Sequence, residues 1–313
     1  MRRAELLLVF AAACPGPQDV QLAPPKDGFQ LTTDSFAVPA GTEVQRCYFM
    51  SVPGSGADIW ISRILAAVNA GSHHMNVFRV RTIVNLDGPD GSVVDGGECW
   101  KSGNWADWPL VVNSQEGGQY VDWTLPAGVA HRFTPGERLM LQTHFVNAQT
   151  QQTPGRGKAM VNFYAAAQTA GLQELGTVFA TDQNIRICPG DTNIAFAQTC
   201  RFARQPVTII AANGHFHSRG VKFEMFPSDA QNQPGAQFYL STTWADPVWT
   251  RDLNVPVVQG GGVFFRCTYT MAPSECGDPA NQCCATFGPH VETQEHCNAF
   301  VYYYPKLSDA TCF

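Results

Sequence analysis

The sequence lacks any long hydrophobic run. No apolar stretch approaches the roughly 18 consecutive residues that a membrane-spanning helix needs. Positive charge is also scarce, since 20 Lys and Arg against 26 Asp and Glu leave a net charge of -6, which gives no electrostatic reason to expect a nucleic-acid partner. Charged residues make up 15% of the 313 residues and hydrophobic ones 44%. This composition indicates a folded chain with room for two domains, soluble or merely tethered to a membrane.

Helical periodicity is rare as well. The 28 Gly and 21 Pro divide the chain into short apolar or alternating runs, a pattern typical of antiparallel β proteins, at 138–146, 158–164, 207–212, 221–226, 262–269 and 299–304. Only 59–69 also fits a helical stripe, and periodicity does not decide that segment. We find no short repeat, and we predict a domain boundary near 165–175. The sequence predicts an all-β fold of two β-sandwich domains, residues 30–168 and 169–313.

The first 14 residues have the features of an export signal. Arg2 and Arg3 precede an apolar run at 6–13, and small residues lead up to Cys14, which we predict to be a lipid-attachment residue. Residues 15–29, rich in Pro and polar side chains, would then form a tether. The expected location is the periplasm or the cell surface, as a lipoprotein, with secretion as the alternative.

Eleven cysteines are present, and setting Cys14 aside leaves ten, the number that five disulfides in an oxidising compartment require. Free buried thiols remain the alternative for individual cysteines. Cys276, Cys283 and Cys284 lie within nine positions, and we favour a disulfide-stapled loop there over a zinc knuckle.

Histidine is scarce, yet six of the eight fall into two groups with metal-chelating spacing: His73 and His74 with His144, and His215 and His217 with His296. Imidazole groups in such numbers suit a redox metal such as copper. Side chains two apart share one face of a strand, so His215 and His217 can reach one metal. An exposed polar strand face is the alternative.

The adjacent pair His73 and His74 would point to opposite faces of a regular strand. Joint ligation therefore requires a bulge or strand end, for which Gly71 and Ser72 provide the irregularity. His144 shares its predicted strand face with Gln142, and a hydrogen-bonded core histidine is the alternative to a ligand there. His131 and His290 are interpreted as surface histidines, with His290 as reserve ligand.

These motifs together resemble the copper type II ascorbate-dependent monooxygenases. The resemblance covers roughly residues 30–305 and rests on several motifs in the family's order and at similar separations: His-His-Met at 73–75, Leu-Gln-Thr-His at 141–144, His-Phe-His at 215–217, Arg-Cys-Thr-Tyr at 266–269, and Glu-His-Cys-Asn at 295–298 followed by Tyr-Tyr-Tyr-Pro.

The resemblance implies two jelly-roll-like β-sandwiches side by side, facing each other across a solvent-filled cleft with one copper on each. The first trio would hold an electron-donating copper, and His215 and His217 with His296 would hold the copper where oxygen and substrate meet. The resemblance also favours a strand at 59–69. It implies disulfides between Cys47 and Cys99, Cys267 and Cys297, and Cys200 and Cys312.

Departures from the family pattern bear on activity. His296 stands where the family has methionine, and a third imidazole is a stronger donor that also suits Cu(II). Asn213 replaces the arginine with which peptide-amidating members clamp a carboxylate, and a neutral amide cannot replace that guanidinium fork. Phe300 replaces their substrate-facing tyrosine, while Asn298 and Gln142 are kept. We assign Asn213, Asn298 and Phe300 to substrate binding and place Gln142 behind the metal ligands.

The sequence thus predicts an enzyme that hydroxylates a small-molecule C–H bond, using O2, two copper ions and ascorbate or another one-electron donor. A glycine-extended peptide is not the expected substrate. The alternative is a non-catalytic, copper-binding exported lipoprotein on the same scaffold. A zinc hydrolase has little support, because no acidic residue lies within either histidine motif, although Glu295 lies beside His296.

Overall fold

The computed structural model describes residues 19–81, 89–96, 108–114, 120–147, 155–245, 247–288, 290–308 and 310–312. The predicted export signal, Cys14 and Cys99 lie outside these ranges. Within them, no helix has the length and apolar character needed to cross a membrane.

The strands up to residue 174 form two large sheets and one small one. A six-stranded sheet runs β1-β12-β4-β9-β13 with β8 also paired to β4, a five-stranded sheet runs β6-β3-β10-β5-β7, and β11 pairs with β2. Their bounds are β1 Gly28–Thr32, β2 Phe36–Val38, β3 Thr42–Ser51, β4 Ile59–Val68, β5 Ser72–Arg79, β6 Val93–Asp95, β7 Leu110–Ser114, β8 Tyr120–Thr124, β9 Val129–Phe133, β10 Arg138–Asn147, β11 Gly155–Gly157, β12 Ala159–Ala165 and β13 Gln173–Glu174.

The strands after residue 175 form a second set of sheets. They are β14 Gly176–Thr181, β15 Arg186–Ile187, β16 Ile194–Arg201, β17 Val207–His215, β18 Gly220–Ser228, β19 Tyr239–Ser241, β20 Trp249–Thr250, β21 Val255–Val257, β22 Gly262–Tyr269, β23 Ala285–Thr286, β24 Asn298–Tyr304 and β25 Ala310–Cys312, with a 3-10 helix at Pro279–Asn281. One sheet runs β20-β17-β24-β14-β25 with β21 on β17, a second runs β16-β22-β18-β19, and β15 pairs with β23.

The predicted all-β class is confirmed, and each of the six predicted strand segments coincides with a strand. The helical alternative for 59–69 is wrong, because β4 is a strand paired with β8, β9 and β12. Its apolar residues, among them Ile61, Ile64 and Val68, are buried with little alternation. A strand covered on both faces needs no period of two, so its pattern resembled that of a helix.

Among the described strands, no pairing joins one before residue 175 to one after it. The domain bounds and the jelly-roll form of each half stay predictions. The two halves nevertheless pack against each other through aromatic rings: the Trp123 ring centroid lies 5.4 Å from that of Trp249 and 4.8 Å from that of Tyr302. Asn113 Nδ2 also donates to Asn213 Oδ1 at 3.2 Å, in a buried position.

The described part of the predicted tether lies against the fold. The backbone N–H of Val20 donates to Asn69 Oδ1 at 2.8 Å, and the Val20 side chain is buried. Arg156 donates from Nε and Nη2 to the two carboxylate oxygens of Asp19, at 3.1 and 3.0 Å. Asp19 and Val20 are therefore packed against the fold, although the sequence placed them in the tether.

Disulfides join Cys267 to Cys297 and Cys200 to Cys312, as the resemblance implies. Two further bridges, whose pairing the sequence left open, join Cys188 to Cys284 and Cys276 to Cys283. The zinc-knuckle alternative is therefore wrong, since its thiols are bonded to sulfur. Cys47 is also disulfide-bonded, but Cys99 lies outside the described residues, so that pairing stays a prediction. Four such bridges point to an oxidising, extracellular compartment.

Candidate metal centres

The first histidine trio is built on β5 and β10. His74 lies opposite His144 in this strand pair, and Ser72 lies opposite Phe145, so His73 is the extra residue of a β-bulge. Gly71, with φ +86°, begins the irregularity, and its carbonyl accepts from the Val146 N–H at 2.8 Å. The predicted irregularity is confirmed. It allows the adjacent His73 and His74 to approach the same point.

One nitrogen from each of His73, His74 and His144 lies within 4.8 Å of the others. Both ring nitrogens of His74 and Nε2 of His73 are buried without a hydrogen-bond partner. Buried polar atoms left unsatisfied are costly and uncommon in native proteins. A metal ion bound to the trio would satisfy these lone pairs, so the residues fit the copper that the resemblance implies.

Glu43 contacts this trio from β3, and sequence reasoning missed it. Its Oε2 lies 2.7 Å from His144 Nε2, and this hydrogen bond lowers the pKa of the carboxyl. With Nε2 bonded to the carboxylate, Nδ1 carries the lone pair that His144 can offer to a metal. A carboxylate behind a ligating histidine orients the ring and raises its basicity.

Replacing Glu43 with alanine is expected to weaken Cu(II) binding at the first trio by about tenfold, since outer partners of metal ligands typically contribute 10–100-fold. Competition with a chelator measures this affinity, and binding at the second trio should not change. Asp95→Ala is the matched control, because Asp95 is an exposed carboxylate beside β3 that contacts Arg46 instead. Equal affinities in the two variants would refute a role for Glu43.

The second trio lies where β17 ends and β24 begins. His215 is the last residue of β17, and His296 precedes β24 by two residues. His215 Nε2 lies 3.1 Å from His296 Nδ1, and one nitrogen from each of the three histidines lies within 4.8 Å of the others. All three rings are buried. His217 follows the strand, so the His-x-His pair does not lie on a regular strand face as the sequence suggested.

His217 lies beyond the end of β17, and the Glu295 side chain holds its backbone in position. The Glu295 side chain is buried and accepts the backbone N–H of His217 on Oε2 at 2.8 Å and that of Arg219 on Oε1 at 2.9 Å. Burial raises the pKa of Glu295 to about 7. Because both oxygens are used in holding this turn, Glu295 is not placed as the free general base that the zinc-hydrolase alternative needs.

Burial also favours the neutral form of five of the six trio histidines. It lowers the pKa of His73 to about 3 and that of His217 to about 4. The pKa values of His74, His215 and His296 lie well below the ordinary value for the same reason. Neutral imidazoles retain a lone pair at physiological pH, which suits copper or zinc.

The two trios lie next to each other, which corrects the expected solvent-filled separation. The ring centroid of His215 is 6.0 Å from those of both His73 and His74. The trios share a cavity of about 40 Å³, whose walls are completed by Asn76, Phe78, Gln142, Phe179, Val291, Asn298 and Phe300. The packing of the two halves around Trp123 brings the trios this close.

Asn298 and Phe300 line this cavity, as does Gln142, whose Oε1 accepts from Asn76 Nδ2 at 2.9 Å. Asn213 does not line it. Its buried amide accepts a hydrogen bond from Asn113 Nδ2 and donates one to the Val248 carbonyl, both at 3.2 Å. The predicted substrate contact is therefore replaced by a structural one.

The two histidines outside the trios differ in burial. His131 is buried against Trp123 and Phe133, which corrects its interpretation as a surface residue. His290 is exposed and belongs to neither trio. It is therefore not needed as a reserve ligand.

Comparison with solved structures gives only weak similarities. They include the PBSX exported protein XepA (9% identity, 96% of this chain and 99% of that one, TM-score 0.21) and Broad Bean Stain Virus (7%, 99% and 100%, 0.28). Similar values hold for the VP2 subviral particle of infectious bursal disease virus (9%, 92% and 74%, 0.23). Such TM-scores support no argument about fold or function. A search of curated proteins gives no match.

A protein-family model does match. It describes the C-terminal domain of copper type II ascorbate-dependent monooxygenases, and it covers residues 168–313, which include the second trio and all four of the described disulfides. The predicted resemblance is confirmed for this part of the chain. Residues 168–313, a little under half of the chain, match the C-terminal domain of the copper type II ascorbate-dependent monooxygenases.

Proposed function

We propose that this protein is a copper-dependent monooxygenase that hydroxylates a C–H bond of a small substrate. One atom of O2 enters the product and the other leaves as water, with two electrons from ascorbate or another one-electron donor and two protons. The observation that carries this proposal is the pair of adjacent, largely buried histidine trios in a chain whose C-terminal part matches the family. Copper, when bound, supplies the one-electron chemistry that O2 activation requires.

The residues divide into two roles. His73, His74 and His144 would hold the copper that receives electrons, while His215, His217 and His296 would hold the copper that meets oxygen and substrate. Phe78, Phe179 and Phe300 help to close their shared cavity. A small space walled in part by phenylalanine rings leaves little room for bulk water, which limits side reactions of reactive intermediates.

The cavity favours an uncharged substrate. Its described lining contains amides and phenylalanines around the histidines, and no Arg, Lys, Asp or Glu. A volume of about 40 Å³ has room for the reacting end of a substrate and little more. Asn298, whose Oδ1 is buried without a hydrogen-bond partner, offers one acceptor to a donor group of the substrate. A substrate carboxylate would find no cation there, which argues against a peptidyl-glycine.

His296 favours one alternative, a non-catalytic exported protein that binds copper on the same scaffold. Three imidazoles stabilise Cu(II), whereas the thioether of methionine favours Cu(I). Such a protein would bind two coppers tightly and consume no O2. Oxygen uptake by the copper-loaded protein with a reductant separates the two functions.

The variant His296→Met tests the alternative further. We expect it to bind Cu(I) at least tenfold more tightly relative to Cu(II), which raises the reduction potential of the second site by about 59 mV for a one-electron couple. Spectroelectrochemical titration measures this shift. If the protein is an enzyme, oxygen uptake persists or rises in this variant. A variant that has the shifted potential but consumes no O2, like the wild type, would favour the non-catalytic function.

A further inference from the structure

One histidine of the two trios is accessible to solvent. Of the six trio members, His73 alone is partly exposed, and the other five are buried. His73 lines the small cavity that the trios share and also a second, open cavity of about 620 Å³. For a molecule too large for the small cavity, the His73 ring is therefore the most accessible part of the two trios.

Both halves of the chain form this open cavity. Its walls are Gly41, Thr42, Glu43, Gly71, Ser72, His73, Val146, Asn147, Ser218, Trp244, Ala245, Val291 and Glu292. The ring centroid of Trp244 lies 6.4 Å from that of His73, with the planes inclined at 56°. A large aromatic face beside a ligand histidine suits a planar molecule, which can stack on the indole while it contacts the imidazole.

The charge of the cavity is negative. Two carboxylates, Glu43 and Glu292, line it, and no Lys or Arg is among its described wall residues. The net charge of the chain, -6, has the same sign. Like charges repel an anion at such a surface, whereas a cation is attracted both by the carboxylates and by the indole face.

We propose that the open cavity beside His73 and Trp244 is the docking site of the one-electron donor, and that it selects planar donors that are neutral or cationic over anions such as ascorbate. This inference rests on the proposed function. Each docking event oxidises the donor by one electron and reduces one Cu(II) to Cu(I). Two such events supply the electrons that one hydroxylation consumes.

The test uses anaerobic stopped-flow reduction of the copper-loaded protein, without substrate, followed by loss of the Cu(II) signal. The donors are hexaammineruthenium(II), a cation, and ascorbate, an anion. Glu292→Lys is expected to slow reduction by hexaammineruthenium(II) and to accelerate reduction by ascorbate, each by roughly tenfold, because local charges change association rates by such factors. Asp27→Lys, the matched control, changes net charge equally at an exposed residue outside the cavity and should alter both rates less than twofold.

A second variant tests stacking. Trp244→Leu is expected to slow reduction by the neutral, planar donor N,N,N′,N′-tetramethyl-p-phenylenediamine about fivefold. It should slow reduction by hexaammineruthenium(II) by a smaller factor, because this octahedral cation cannot stack and is attracted to the indole only through its charge. Metal-free protein provides an independent readout. Calorimetric titration with the planar cation 1-methylnicotinamide should show weaker binding in Trp244→Leu and in Glu292→Lys.

Equal effects of Glu292→Lys and Asp27→Lys, or unchanged rates in Trp244→Leu, would overturn the docking site and leave the proposed function standing. A wild-type protein that takes up no reducible copper would overturn both. The two failures are therefore distinguishable in one series of experiments.

Discussion

Replacing His215 with alanine is expected to abolish oxygen uptake and to lower the copper content of the loaded protein from two ions per chain to one. His215 ends β17, and its ring contacts those of His217 and His296 at centroid distances of 5.1 and 5.2 Å. Without it, two imidazoles remain in a buried site. Even outer partners of metal ligands contribute 10–100-fold to affinity, so the loss of a ligand should weaken binding by more than about a hundredfold.

Metal analysis and an oxygen electrode measure the two effects. His290→Ala is the matched control, because His290 is exposed and outside both trios, and it should bind two coppers and consume oxygen normally. His73→Ala should slow uptake by interrupting the electron supply. Turnover that is unchanged in His215→Ala would contradict the assignment of the second trio.

Replacing Glu295 with alanine is expected to destabilise the protein by about 3–5 kcal/mol, the usual loss when one member of a buried charged pair is removed. The N–H groups of His217 and Arg219 would lose their buried acceptor. Arg219, whose side chain is also buried, would lose its Nη1 contact with Glu295 at 3.7 Å. At about 2–4 °C per kcal/mol for domains of this size, the melting temperature should fall by roughly 10 °C.

Thermal unfolding followed by circular dichroism measures the shift. Glu292→Ala is the control in the same segment. The Glu292 side chain is exposed, and it is the backbone carbonyl that accepts a hydrogen bond from Arg219. The free energy of unfolding of this variant should therefore differ from that of the wild type by less than about 0.5 kcal/mol. Because Glu295 positions the turn that carries His217, copper binding at the second trio should also weaken. A melting temperature within 2 °C of the wild type would contradict this role.

Strand positions were largely predictable because period-two alternation and Gly/Pro punctuation are local properties. The segment 262–269 was predicted with its observed bounds. The bulge at His73 was also predictable, because two adjacent histidines can reach one metal only through an irregularity. His296 was grouped with His215 and His217 from the sequence, and the structure brings its ring to these predicted partners.

Long-range packing was not predictable. Glu43 lies 101 residues from His144, and nothing in its own segment marks it as a partner. The closeness of the trios depends on contacts between the halves, such as that of Trp123 with Trp249, which no local pattern encodes. Asn213 lies at the same contact between the halves, where it accepts a hydrogen bond from Asn113. It is therefore not part of the predicted substrate site.

Copper titration with electron paramagnetic resonance tests the central claim most directly. Two trios of histidines should bind two ions per chain, and the oxidised protein should show nitrogen hyperfine coupling at both. The His215→Ala protein should retain one of the two signals. A single equivalent of copper in the wild-type protein, or signals without nitrogen coupling, would contradict the claim.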